Sequence, residues 1–339
     1  MPVFLRFCLV TIILAGFSVA AFADENFERG YFVGSITNDI SVQMDLFVVS
    51  DTVTGSYYDS SKKLISSING SIDKAGIATL NIINNEHISG RLCGDVNVSE
   101  GTFYAVWTNV TGKKSVPFQF IKKADYICKK ANVGEIIESV IVYPYFMSSF
   151  YPFKKINGII EEYMLTLQDE FLQNEKDAYF LEYRLIEYDM PGWSLHSECS
   201  IHFYSDELVS LLENVYAYTG GAHGNTNYSS WNYWIQEGDA VLIDLNALFL
   251  DKSDYVEVLA GFCLKDLKEQ EAGWVTDGMV NSLDEINLKV FTISLAGISF
   301  YFAPYEMGCY AEGTYTVTIP YSELKDIIDL NGPLKTLVE

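Results

Sequence analysis

Between residues 27 and 122, apolar and polar positions alternate in short runs, and turn-forming residues break the runs at intervals of about 8–12 residues. The runs are Tyr31–Ile36, Val42–Val48, Val53–Tyr58, Leu64–Gly70, Ala78–Ile82, Ile88–Leu92, Phe103–Trp107 and Val116–Phe120. Asn69-Gly70, Asp73–Gly76, Ser99–Gly101 and Thr111–Lys114 supply the turns between them. A period of two over such short lengths predicts strands. Their regular spacing predicts an all-β antiparallel meander, barrel-like and closed or nearly so, over residues 24–123. A barrel this small is filled by its own side chains, so its interior is not read as a ligand pocket.

The alternation lapses and charge clusters over residues 124–134, which read as a linker. Beyond it the period changes. Val140–Tyr145 predicts a strand, and Phe153–Gln173 places Ile156, Ile159, Ile160, Tyr163, Met164, Leu167 and Phe171 at helical spacing. Glu161, Glu162, Asp169 and Glu170 fall mostly on the other side and read as a solvated face. Strands are expected at Tyr179–Tyr188, Ser194–Phe203, Glu207–Tyr218 and Asn227–Ile235, with a turn at Met190–Gly192. A second helix is expected over Asp254–Lys268, strands at Leu288–Ile293, Ile298–Phe302 and Tyr315–Ile319, and a last helix over Ser322–Asp329. Strands and helices in blocks predict an α+β domain, residues 135–330, with an antiparallel sheet and covering helices, and a C-terminal tail at 331–339.

The first 23 residues have the order of parts of a secretory signal peptide: Arg6, an apolar run from Phe7 to Val19, then the small-x-small site Ala21-Phe22-Ala23. The run is shorter than the roughly 20 residues a membrane span needs, so a cleaved leader and an exported, periplasmic or secreted protein are expected. Leu14-Ala15-Gly16 begins like a lipobox, but Phe17 stands where the lipid-accepting cysteine would be. No other stretch is long and apolar enough to predict a transmembrane helix in the mature chain.

Of 339 residues, 49% are hydrophobic and 14% aromatic, enough for two cores. The formal charge is −23, and one unit more negative once the leader with Arg6 is removed. Such a chain repels nucleic acid and anionic membrane surfaces and attracts basic partners. Cys93, Cys128, Cys199, Cys263 and Cys309 follow the leader without a CxxC pair, which argues against a zinc knuckle or a thioredoxin-type site. Cys93 with Cys128 is one open pairing.

Val53–Tyr58, Gly70, Ile72-Asp73, Gly76, Leu80, Gly90, Trp107 and Gly112–Lys114 together resemble a small β module common in exported bacterial proteins. Three further stretches stand out: Tyr216–Gly224 (YAYTGGAHG), Glu237–Phe249 with its Leu-Ile-Asp-Leu core, and Gly297–Gly313 (GISFYFAPYEMGCYAEG), which runs on to Val317–Leu324. In this order they resemble the extracytoplasmic C-terminal domain of RsiV-type anti-sigma factors, also called domain of unknown function 3298, with its lead-in domain. The resemblance covers about residues 135–330. It implies an α+β fold and an extracytoplasmic binding role, with a lysozyme-like hydrolase or a peptidoglycan glycan as partner. It implies no cofactor. Neither a sigma-binding region nor an attached deacetylase domain is read in this sequence, so signalling across a membrane is not expected.

The binding residues implied are Tyr218, Gly220, Gly221 and His223 of the first motif, with Tyr305, Glu306 and Tyr310 of the third. The competing expectation is a cell-wall hydrolase or deacetylase centred on His223 with Glu306; a structural envelope protein is a third. Neither GxSxG, HExxH nor a glycine-rich phosphate loop occurs. His196 and His202 flank Cys199, but six residues of extended chain put them about 20 Å apart, too far to share a metal. Glu306 and Glu312 bracket Gly308-Cys309-Tyr310 and could serve as paired carboxylates, though turn roles suit them better. Tyr228, Trp231, Tyr233 and Trp234, with Tyr301, Tyr305 and Tyr310, are candidates for a stacking surface. Along one strand Trp231 and Tyr233 share a face and Tyr228 and Trp234 the other, so one set is expected to be buried.

Overall fold

In the computed structural model, the described residues are 27–37, 40–60, 64–97, 101–134, 137–183 and 192–338. The leader, the Ser99-Glu100 turn, residues 184–188 and the Met190-Pro191 turn lie outside them. The chain divides into two compact units at Tyr126/Ile127.

The first unit is an eight-stranded antiparallel barrel. Strands β1 (Phe27–Thr37), β2 (Ile40–Val49), β3 (Thr52–Asp59), β4 (Leu64–Ile72), β5 (Ile77–Asn84), β6 (His87–Asn97), β7 (Thr102–Asn109) and β8 (Ser115–Val133) pair in chain order. β1 then pairs with β8, from Gly30↔Asp125 to Ser35↔Gln119, and closes the barrel. Closure removes both sheet edges. The inward positions, among them Phe32, Met44, Leu46, Tyr57, Phe103 and Phe120, are fully buried and pack as one core. The strands coil so tightly that a Cβ at Gly94 would stand 1.9 Å from the Tyr104 carbonyl oxygen. On the outer wall, Arg29 makes a bidentate pair with Asp45 (3.0 and 2.8 Å) and lies over the Tyr126 ring.

Residues 124–133, expected as linker, continue β8 as regular strand. The reason is local: Ala124 is fully buried, and Lys122, 5% exposed, is paired with Asp125, so the charges that break the alternation sit on a paired strand. Cys93 and Cys128 stay as thiols, as no disulfide forms among the described residues.

In the second unit, β9 (Ile137–Phe146), β10 (Trp193–Tyr204), β11 (Leu208–Tyr218), β12 (Asn225–Gln236) and β13 (Asp239–Leu242) lie side by side in that order. Helix α1 (Tyr151–Tyr183) connects β9 to β10, and these two are parallel, Trp193↔Ile137 to Glu198↔Val142. The sheet is therefore mixed and not wholly antiparallel, because a helical crossover returns the chain to the same end. α1 runs ten residues past Gln173, so Tyr179–Tyr183, expected as strand, are helical. Its buried stripe is Phe153, Ile156, Asn157, Ile160, Met164 and Gln168, narrower than the apolar pattern, with Ile159 and Tyr163 partly in solvent. Asn157 bonds both N–H and C=O of Phe146, and Gln168 donates to the Ser139 carbonyl (3.4 Å) and hydroxyl (3.2 Å).

The opposite face of this sheet meets a second, three-stranded sheet: β14 (Phe291–Ser294), β15 (Gly297–Phe302) and β16 (Tyr315–Ile319). Helix α2 (Tyr255–Glu269) packs on β16, and its Leu259, Cys263 and Leu267 enter a core with Phe203, Leu208, Phe300 and Val317. The strand expected at Leu288–Ile293 starts later, at Phe291. The helix expected over Ser322–Asp329 is only one turn, α4 (Tyr321–Leu324), after the short α3 (Gly273–Thr276), and one more turn, α5 (Lys335–Val338), lies in the expected tail.

Candidate functional site

The two distant motifs meet at one corner. The β11–β12 loop carries Thr219–Gly224, and Gly220 and Gly221 take φ of 98° and 84°, which a glycine tolerates and other residues rarely adopt. Tyr218 braces the loop, its hydroxyl donating to the Gly221 carbonyl at 3.2 Å. Gly224 lies flat on Tyr216, where a Cβ would come within 2.4 Å of the ring. The same loop projects His223, whose Nδ1 bonds the Gly224 carbonyl oxygen at 2.8 Å.

From the other side, the hairpin after β15 delivers Tyr305 and Tyr310. The Tyr310 ring stacks on His223 with centroids 3.5 Å apart and planes 12° from parallel. The Tyr305 hydroxyl is 3.4 Å from His223 Nε2, and its ring lies 5.7 Å from that of Tyr310. Tyr305 is 49% exposed and holds φ of 70°, a left-handed conformation that costs a non-glycine residue about 1–2 kcal/mol. Strain is thus spent on presenting an aromatic ring to solvent.

Glu306 serves its own turn and not His223 among the bonds of the described residues. Its Oε2 accepts the Ala303 N–H at 2.8 Å and closes its own turn. Glu312, which sequence pairs with Glu306, is a hub instead: it accepts Tyr315 O–H (2.7 Å), Cys309 N–H (2.8 Å) and Gly273 N–H (2.7 Å). The Tyr315 hydroxyl and then these two N–H groups hold its carboxyl down to about 2. A depressed carboxyl stabilises the fold above its unfolded pKa and loses that contribution as pH falls toward the folded value. Glu312 is exposed and solvent screens it. Glu312→Gln is therefore expected to lower Tm at pH 7 by on the order of 2 °C, with the gap closing as the pH of the melts is taken toward 2.

Of the aromatic surface expected from sequence, only part is open. Tyr233 is buried, Trp231 meets Tyr163 of α1 edge-on at 4.9 Å, and Trp234 packs on the core beside α2. Tyr228 and Tyr301 pack on each other, centroids 5.7 Å apart. His202 falls in a bulge between Ile201 and Phe203 and meets the Tyr301 hydroxyl at 3.2 Å. His196, near Tyr216, is lowered by burial, an effect the Glu138 charge opposes. Tyr216 was missed by sequence reasoning as the floor under Gly224; its place two residues before Tyr218, on the same strand face, is the signal. Among the described residues no group of three or more His, Cys, Asp and Glu is placed to hold a metal.

Comparison with known proteins places these motifs. Residues 246–322 match the model of the family described as "protein of unknown function (DUF3298)". Residues 131–226 match the model described as "Deacetylase PdaC". Among curated proteins, the chain is 23% identical over 209 residues to the peptidoglycan-N-acetylmuramic acid deacetylase PdaC of Bacillus subtilis, covering 60% of this chain and 41% of that protein. The chain thus spans about two fifths of the length of that relative. Among solved structures, a DUF3298 family member from Bacteroides fragilis is similar over 64% of this chain and 97% of its own, with 18% identity and a TM-score of 0.46. A DUF3298 family protein from Pseudomonas aeruginosa covers 61% and 93%, with 17% identity and a TM-score of 0.43.

Proposed function

We propose that this is an exported protein of the cell envelope that binds a peptidoglycan glycan, with the His223–Tyr310–Tyr305 corner as its working edge. The observation that carries the reading is the exposed Tyr305 ring, held out by a left-handed backbone beside the stacked His223–Tyr310 pair. Tyrosine offers an apolar face and a polar tip at low entropic cost, as sugar stacking requires. The PdaC-like region at residues 131–226, and the relative named for peptidoglycan, support a cell-wall role. The leader read at residues 1–23 supports export.

The test is a calorimetric titration of the mature chain with soluble peptidoglycan fragments. Saturable binding is expected, weakened at least about tenfold by Tyr305→Ala, the scale of an aromatic anchor. No saturable binding, or binding indifferent to that change, rejects the reading. A c-type lysozyme titrated in parallel at two salt concentrations separates the other partner: one-to-one binding that weakens with salt would favour a basic hydrolase, drawn by the charge of −23.

The PdaC likeness favours one second reading, deacetylation of the glycan at His223. The turn role of Glu306 leaves that reading without the carboxylate partner expected from sequence. Acetate release from N-acetylated fragments that His223→Ala abolishes would establish it.

A further inference from the structure

Apart from the corner residues just described, a second surface has features the glycan reading does not use. A shallow groove of about 610 Å³ runs between α2 and residues 281–283. Val256, Ala260 and Leu264, four residues apart on α2, form its floor with Leu283. Asp254 and Glu257 are the charged side chains that line it; Lys252 and Lys265, the nearest lysines in sequence, do not. Asp284 and Glu285 follow Leu283 directly, and Glu285 is held by the Tyr255 hydroxyl at 2.6 Å. Two large apolar side chains on the same segment stand in solvent, Met279 at 65% and Ile286 at 71% exposure.

Gly261 makes the groove informative. It sits inside α2, where glycine costs the helix about 1 kcal/mol against alanine. A Cβ there would meet nothing within 4 Å, so no packing inside this chain asks for glycine. The Ser253 hydroxyl at the head of the groove is buried and has no bonding partner among the described residues. An apolar floor and a bare stretch of helix backbone suit a peptide lying close on the helix. Carboxylates at the rim set its charge. A second copy carries −23 and is repelled at long range, so the complementary occupant is basic.

We propose that this groove docks a basic amphipathic peptide segment of a partner protein, apolar side chains on the floor and lysine or arginine toward Asp254 and Glu257. The probe is a synthetic amphipathic Leu/Lys helix peptide, labelled for fluorescence anisotropy and titrated into the full mature chain. Versions with Glu or Gln at every Lys position run alongside. One-to-one binding of the Lys peptide is expected, with none of the Glu peptide and weak binding of the Gln peptide. Gly261→Phe fills the groove and should cut affinity at least about tenfold, the scale of a blocked anchor site. Its helix is not weakened by losing glycine, and Gly261→Ala, which sets a single methyl on the bare stretch, should weaken binding by less than Gly261→Phe does. Asp254→Asn with Glu257→Gln should lower affinity and flatten its salt dependence.

Binding of the Lys peptide that Gly261→Phe leaves unchanged would reduce the effect to diffuse attraction and overturn the proposal. So would no binding, or equal binding of the Glu peptide. Sedimentation showing a dimer that Gly261→Phe dissociates would give the groove to a second copy and overturn it equally. None of these outcomes touches the Tyr305→Ala test of glycan binding.

Discussion

Asn232→Leu is expected to cost about 2–5 kcal/mol, measured as loss of unfolding free energy in urea, since two buried polar groups are left unpaired at about 1–3 kcal/mol each. The residue is 2% exposed and lies on β12. Its Nδ2 donates to the Phe291 carbonyl at 3.0 Å, and its Oδ1 accepts the Ser210 hydroxyl at 2.6 Å. Ser210 in turn accepts the Ile293 N–H at 2.8 Å, and Ser230 accepts the Phe291 N–H at 3.1 Å. β14 is the edge of its sheet, and its backbone groups on that side need partners as any sheet edge does. Here three polar side chains of the facing sheet stand where a further strand would be. Leucine fills similar volume but bonds neither Phe291 nor Ser210. Ser230→Ala removes one link only and should cost about 1 kcal/mol. Equal losses from the two changes would show that the side-chain edge does not hold the second sheet.

This device explains part of what sequence could and could not give. Ser230 and Asn232 read from sequence only as polar positions among aromatics, on a strand correctly placed by its alternation. That they replace backbone partners depends on β14, about sixty residues on. The barrel was legible because each strand pairs with the next and its period is local. The parallel pairing of β9 with β10 was not, since the same alternation serves either direction. Tyr179–Tyr183 misled because aromatic and apolar residues at alternate positions also fit a helix whose preceding turns are already formed. At the corner, His223, Tyr305 and Tyr310 were legible as motif residues. Their stacking was not, because it joins loops some eighty residues apart. Glu306 and Glu312 looked alike in sequence, and only their backbone partners show that each serves a turn.

Glu213→Ala is expected to cost about 2–4 kcal/mol at neutral pH, since it leaves buried hydroxyls unpaired at about 1–3 kcal/mol each and a cavity beneath α1. Glu213 lies on β11 beneath α1 and is fully buried. Ser197 donates to its Oε1 at 2.7 Å and Tyr163 of α1 to its Oε2 at 2.9 Å; Ser229 bonds it as well. No cation is among these partners. Burial raises the carboxyl above its ordinary value, and the three hydroxyls pull against that without cancelling it. The native state therefore binds this proton more tightly than the unfolded chain does. Stability from this group is complete below the unfolded pKa and falls as pH rises through the raised native value. Glu213→Gln keeps the shape and cannot ionise. It should match wild type in acid and exceed it above the native pKa, while Glu213→Ala is worse at every pH. Urea titrations of the three proteins across pH 4–8 measure this; a wild-type curve parallel to that of Glu213→Gln throughout would mean that Glu213 does not titrate differently on folding. The same series reads α1, since Tyr163 is the helix's bond to the carboxylate. Tyr163→Phe should lower stability by about 1 kcal/mol at neutral pH and by less in acid, where the hydroxyl no longer meets a charge.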